Sequence, residues 1–168
     1  SPTVMKNVLG ILPGTDPADD RVFIVSGHYD SRASDVNDSK IFAPGANDDA
    51  SGTAAAMELA RVMSQYKFNC TLIFVAMVAE EQGLYGAVNL AKRAKAEKWN
   101  LAGMITNDIV GNTYGMETGI KDNNSVRIFS EGVSVAESPE EAARRSSTGS
   151  ENDGQARQFA RYLKEIGE

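Results

Sequence analysis

The sequence predicts an α/β fold built on a mostly parallel sheet, and three observations carry that prediction. Residues 22–26 (Val-Phe-Ile-Val-Ser) and 70–78 (Cys-Thr-Leu-Ile-Phe-Val-Ala-Met-Val) are short, apolar and rich in β-branched residues without alternation, the pattern of strands covered on both faces. Segments of helical periodicity stand between and after them. The resulting order of strand, helix, strand, helix, strand favours right-handed crossovers between parallel neighbours.

The elements follow in turn. Strand-like sequence begins within a few residues of Ser1-Pro2-Thr3, ahead of the first buried strand at 22–26. Residues 29–47 are polar and include Pro44-Gly45, so they form a loop. Over 51–66, Ala54, Ala55, Met57, Leu59, Ala60, Val62 and Met63 give a helix with a broad apolar face, capped by Asp49 or Ser51. The strand at 70–78 comes next, then a helix rich in Ala and Lys over 84–98 and a short strand over 102–106. Residues 112–124 read as loop, with 116–124 a flap or a plain connection. Residues 125–130 read as a strand, and polar helices are expected over 137–146 and 151–166 with a turn over 145–150 between them.

A chain of 168 residues with 42% hydrophobic and 24% charged residues suits one globular domain spanning 1–168. Lys and Arg number 17 against 23 Asp and Glu, and the net charge of −6 argues against a nucleic acid or an anionic membrane as partner. No run approaches the length of a membrane span. The single cysteine, Cys70, lies in an apolar run and reads as a buried strand thiol. Trp99 reads as a partly exposed packing residue near a helix end.

The polar residues fall in informative places. His28 and Asp30 follow the first buried strand, Glu80 and Glu81 the second, and Asp108 the third, while Asp48 and Asp49 precede the first helix. In parallel sheets, sites form beyond the carboxyl ends of the strands, so all these groups converge on one edge. Each has an ordinary structural reading: a core histidine, a helix cap for Asp48-Asp49, a helix start for Glu80-Glu81, a turn for Asp108. Those readings do not explain why one histidine and several carboxylates share one sheet edge.

Imidazole with carboxylates suits Zn²⁺ or a similar divalent ion, and a central carboxylate can bridge two ions. Neighbouring glutamates at a strand end point in different directions, so one can bind metal while the other takes a proton from the attacking water. A Ser-His-Asp device lacks its Gly-x-Ser-x-Gly elbow, Cys70 is poorly placed for a nucleophile, and phosphate-binding glycine loops are absent.

Four motifs together resemble the M28 zinc aminopeptidases: Ser26-Gly-His-Tyr-Asp-Ser31, Pro44-Gly-Ala-Asn-Asp-Asp-Ala-Ser-Gly52, Ala79-Glu-Glu-Gln-Gly-Leu-Tyr-Gly86 and Asn107-Asp-Ile-Val-Gly111. The resemblance covers roughly residues 20 to 115. It implies a three-layer, phosphorylase/hydrolase-like sandwich and an exopeptidase that hydrolyses amino-terminal peptide bonds. By the same resemblance, His28 and Asp108 hold one zinc, Glu81 holds another, Asp48 bridges them, Glu80 is the general base, and Asp30 orients the His28 ring. Peptide substrates and export from the cell, as a secreted or periplasmic protein, are implied as well.

The family also supplies a further histidine to the Glu81 metal from near the carboxyl end of its domain, whereas His28 is the only histidine of this chain. The expectation is therefore a shortened chain, incomplete at its C-terminal end, that binds one zinc or fewer in place of two and is weakly active or inactive. Two alternatives stay open: a non-catalytic binding module on the same fold, and a relative with carboxypeptidase-like or glutaminyl-cyclase-like chemistry.

Overall fold

The computed structural model describes residues 4–134, 137–148 and 154–167. Two compact units make up the chain, Ser1–Asn123 and Asn124–Glu168. The first contains a four-stranded sheet in the order β1-β3-β2-β4, formed by β1 (Val8–Leu12), β2 (Arg21–His28), β3 (Thr71–Met77) and β4 (Asn100–Thr106). The β2–β3 and β2–β4 pairs are parallel, as the crossovers predict. The edge strand β1 pairs antiparallel with β3, with Val8 opposite Ala76 and Leu12 opposite Leu72.

The two central strands supply most of the core. Val22 and Ile24 of β2 and Ile73, Val75 and Met77 of β3 cluster with Leu90 of helix α2 (Tyr85–Ala96), and Leu9 and Trp99 pack against them. Side chains alternate across a strand, so the residues between Val22, Ile24 and Ser26 face the other way. There β2 and β3 meet helix α1 (Ala50–Met63), and Gly27 lies directly against Gly52 and Thr53. Helices therefore cover both faces, which is the three-layer arrangement.

Close approach at that contact requires glycine. A β-carbon at Gly27 would collide with the backbone of Gly52 and Thr53. One at Gly52 would collide with the Asn107 carbonyl and the Asp49 carboxylate. The backbones of β2 and α1 thus touch without an intervening side chain, and the helix start is pressed against the strand end.

Several expectations are corrected. Cys70 is half-buried and lies one residue before β3 rather than inside it. Residues 125–130 form no strand: Val126 is 70% and Phe129 81% exposed, and an extended segment becomes a strand only when a neighbour supplies the ladder. The expected loop is present near 112–124, folded back by a bridge between Tyr114 and Lys121.

In the second unit, α3 (Pro139–Thr148) starts at a capping box in which Ser138 and Glu141 exchange hydrogen bonds with each other's backbone N–H. It continues through residues 145–148, where a turn is expected. The Ser147 and Thr148 hydroxyls donate back to the Arg144 carbonyl, which lets polar residues stay helical. The rest of that expected turn, 149–150, and the expected helix start at 151–153 lie outside the described residues. Helix α4 (Gln155–Gly167) follows. Among the described residues, no helix is long and apolar enough to cross a membrane.

The contact between Gly27 and Gly52 gives the first prediction. Gly27→Ala should destabilise the chain by about 1–3 kcal/mol or more, the range of an overpacked interior, read as a lowered urea midpoint. An unchanged midpoint would mean that the helix start can move away from β2 at little cost.

Candidate metal centre

The site is assembled by a buried carboxylate. Asp49 caps α1 by accepting from the Gly52 N–H at 2.9 Å, and it also accepts from the His28 N–H at 2.9 Å and the Ile109 N–H at 3.3 Å. One side chain thereby joins the end of β2, the start of α1 and the segment after β4. Burial of a charge is tolerable when its oxygens are satisfied in this way. The Thr53 hydroxyl adds a bond to the His28 carbonyl at 2.8 Å, and the Asn107 N–H reaches the Ser26 carbonyl at 2.8 Å.

Those bonds place His28 at the centre of the strand ends. Its ring Nδ1 lies 3.0 Å from the Asp30 carbonyl oxygen. A carbonyl can only accept, so Nδ1 carries the proton, and in the neutral ring Nε2 keeps its lone pair. Nε2 faces Asp48 Oδ1 at 3.1 Å, with Glu80 Oε2 at 4.0 Å. One ligand atom each from His28, Asp48 and Asp108 lies within 4.8 Å of the others. An imidazole nitrogen with two carboxylates, one ring tautomer already fixed, is a donor set that fits Zn²⁺.

The remaining expected residues stand around this group. Asp30 meets the His28 ring mainly through its backbone, with its carboxylate 3.7 Å from Nδ1. Its two carboxylate oxygens instead accept from the Glu80 and Glu81 N–H groups, each at 3.1 Å. Asp30 therefore links the end of β2 to the turn after β3. Glu81 is not among the three clustered ligands; its carboxylate faces Arg32 Nε at 3.5 Å.

Backbone shape helps to present the acids. Ala79, directly before Glu80, and Ile109, directly after Asp108, both have left-handed φ (54° and 53°), a conformation that non-glycine residues adopt sparingly and that turns the chain sharply at the ends of β3 and β4. The Asp48–Asp49 peptide bond is cis. Sequence reasoning treated Asp49 only as a possible cap and overlooked Arg32. The Asp49 position beside another aspartate offers no local signal of its wider role, and Arg32 reads as an ordinary loop residue.

Mutual repulsion marks the cluster electrostatically. Burial, then the charges of Asp49 and Asp48, push the Asp108 carboxyl above its usual range. Burial, then the Asp48 charge, push Glu81 up as well, against the opposing pull of Arg32. Burial of the His28 ring disfavours its charged form, but Asp49, the Asp30 carbonyl, Glu80 and the Asp30 carboxylate outweigh it, so the ring also titrates high.

Two predictions follow from this geometry. Asp49→Ala orphans three N–H groups, each costing about 1–3 kcal/mol when buried without a partner, so a loss of about 3 kcal/mol or more is expected in chemical denaturation, with Asp49→Asn milder. Wild-type stability in the alanine variant would remove Asp49 from the centre of the fold. Because all three shifted groups hold protons to higher pH than usual, and a metal must displace those protons, zinc affinity should fall as pH decreases and begin falling above the usual carboxylate and imidazole ranges. Calorimetric titration in buffers of different ionisation enthalpy should record proton release on zinc binding.

Comparison with known proteins places the chain in a family. Residues 7–155 match the family model "Peptidase family M28". The chain is 47% identical over 167 residues to a probable zinc metalloprotease of Pyricularia oryzae, covering 99% of this chain and 33% of that protein. It is 46% identical over 165 residues to another of Leptosphaeria maculans, covering 98% and 38%. It therefore spans about a third of the length of these curated relatives. Among solved structures, the aminopeptidase from Aneurinibacillus sp. strain AM-1 superposes with a TM-score of 0.54 at 37% identity, covering 65% of this chain and 26% of that one. A zinc aminopeptidase from Bacillus subtilis gives 0.54 at 33% identity, covering 64% and 25%. Because the family model matches residues 7–155, most of these 168 residues, the chain belongs to peptidase family M28.

Proposed function

We propose that residues 1–168 form part of the catalytic domain of a zinc-dependent exopeptidase that hydrolyses amino-terminal peptide bonds. The observation that carries this reading is the meeting of His28, Asp48 and Asp108 ligand atoms within 4.8 Å of one another, with Glu80 beside them. In this reading His28 and Asp108 would hold one zinc, Glu81 would hold a second, and Asp48 would be shared between them. This chain supplies three protein ligands to the first position and two to the second, so it is expected to hold one zinc or fewer. Peptides with a free amino terminus are the substrates, and the site of action is outside the cell.

When bound, zinc polarises the substrate carbonyl and lowers the pKa of water, which makes attack possible near neutral pH. Glu80 accepts a proton from the attacking water at a carboxylate oxygen, then returns it to the leaving nitrogen as the peptide bond breaks. Asp30 is a positioning residue. Its carbonyl holds the Nδ1 proton of His28, and its carboxylate fixes the backbone that carries Glu80 and Glu81.

The experiment is zinc content per chain after dialysis against trace zinc, with turnover of aminoacyl p-nitroanilides followed on the same sample. Asp48→Asn should deplete zinc at both positions, and full stoichiometry in that variant would overturn the bridging role. His28→Ala should lower zinc affinity strongly. In a chain extended to the length of its relatives, Glu80→Gln should keep its zinc and lose the roughly 10²- to 10⁴-fold in kcat typical of a general base; an unchanged kcat would remove Glu80 from the mechanism.

A further inference from the structure

We propose that Ser51 is a positioning residue of the metal centre: its hydroxyl clamps the segment that carries Asp48 to the segment that carries Asp108, and so fixes the two carboxylate ligands relative to each other. The proposal rests on the reading above that His28, Asp48 and Asp108 hold one zinc, and it concerns that position alone. Ser51 Oγ donates to the Asn47 carbonyl at 2.7 Å and accepts from the Gly111 N–H at 3.1 Å. Asn47 directly precedes Asp48, and Gly111 lies three residues beyond Asp108.

Burial holds neither carboxylate ligand in place. His28 is buried, whereas Asp48 and Asp108 are both exposed and lie outside the helices and strands. Two like charges at this separation also push each other apart. Asp49 supplies one tie, since it follows Asp48 in the chain and accepts from the Ile109 N–H. Ser51 supplies the second. It holds the residue before Asp48, so that Asp48 is fixed on both sides, and it holds the turn after Asp108, which the chain enters through the left-handed Ile109.

A hydroxyl suits this task because it donates and accepts at once. The approach is close: a β-carbon at Gly111 would lie 2.9 Å from Ser51 Cβ, nearer than two carbons pack, so glycine at 111 lets its amide reach the hydroxyl. Helix α1 itself does not need the clamp. Asp49 caps it, and alanine is a better helix former than serine at position 51. The two roles therefore separate: removal of the hydroxyl spares the helix and loosens the metal centre.

The test is the zinc affinity of the wild type, Ser51→Ala, Ser51→Thr and Asp108→Asn, measured by competition with a chromophoric chelator and repeated with Co²⁺, whose visible absorption reports how its ligands are arranged. Circular dichroism and urea midpoints of the metal-free chains check the fold. Ser51→Ala should keep a midpoint close to wild type, bind zinc about tenfold more weakly and change the Co²⁺ absorption, the scale on which groups that orient metal ligands act. Ser51→Thr keeps the hydroxyl and should restore both affinity and spectrum. Wild-type zinc affinity in Ser51→Ala, with Asp108→Asn still losing the ion, overturns the clamp and leaves the ligand reading standing. Equal losses in Ser51→Ala and Ser51→Thr, or a Ser51→Ala chain that no longer folds, assign the effect to packing and also overturn the clamp. Wild-type affinity in Asp108→Asn, or a wild-type chain that takes up no zinc, overturns both.

Discussion

The Asp49 carboxylate, buried where β2 ends, accepts one hydrogen bond from each of three chain segments that meet nowhere else in sequence. Without it, the His28 and Ile109 amides would face the interior unpaired, and α1 would lose its cap. Gly27 and Gly52 complete the joint by letting strand and helix backbones touch. The candidate metal centre is a by-product of that joint: once these segments are fixed, His28, Asp48 and Asp108 have little choice but to share a small volume.

Asp30 repeats the device one strand over. It ties the end of β2 to the turn after β3 through the Glu80 and Glu81 amides, so the proposed base and the proposed second ligand are aimed by backbone bonds rather than by their own flexible side chains. Asn7 does the same at the outer edge, accepting from the Val78 N–H and donating to the Gly86 carbonyl. Short polar side chains recur here because the carboxyl ends of parallel strands leave backbone groups that the ladder does not satisfy.

Burial first, and neighbouring carboxylates second, push Asp108 and Glu81 above their usual range, so keeping these acids ionised together costs free energy in the absence of a cation. Two forms of positive charge answer it. His28 stands within the group of three, and Arg32 faces Glu81. Repulsion among these carboxylates would be relieved by a cation, so stability and cation affinity would trade against each other at these residues.

Much of this was legible in the sequence. The apolar runs of β2 and β3, the helical period of α1 and the placement of His28, Glu80 and Asp108 just past strand ends are local patterns, and local patterns survive in a linear string. The expected strand over 125–130 failed because strand formation depends on a partner that the string does not name, whereas α3 outran its expected end because hydroxyl back-bonding can hold Ser147 and Thr148 in a helix. The clearest limit is the pair Asp48-Asp49. The sequence by itself determined that two adjacent carboxylates precede α1 at the edge where the other polar groups converge. Only the tertiary structure decided that Asp49 turns inward to hold three amides while Asp48 stays exposed beside His28 Nε2. Identical side chains differ in fate because burial and hydrogen bonding are set by segments more than twenty residues away that meet only in the fold.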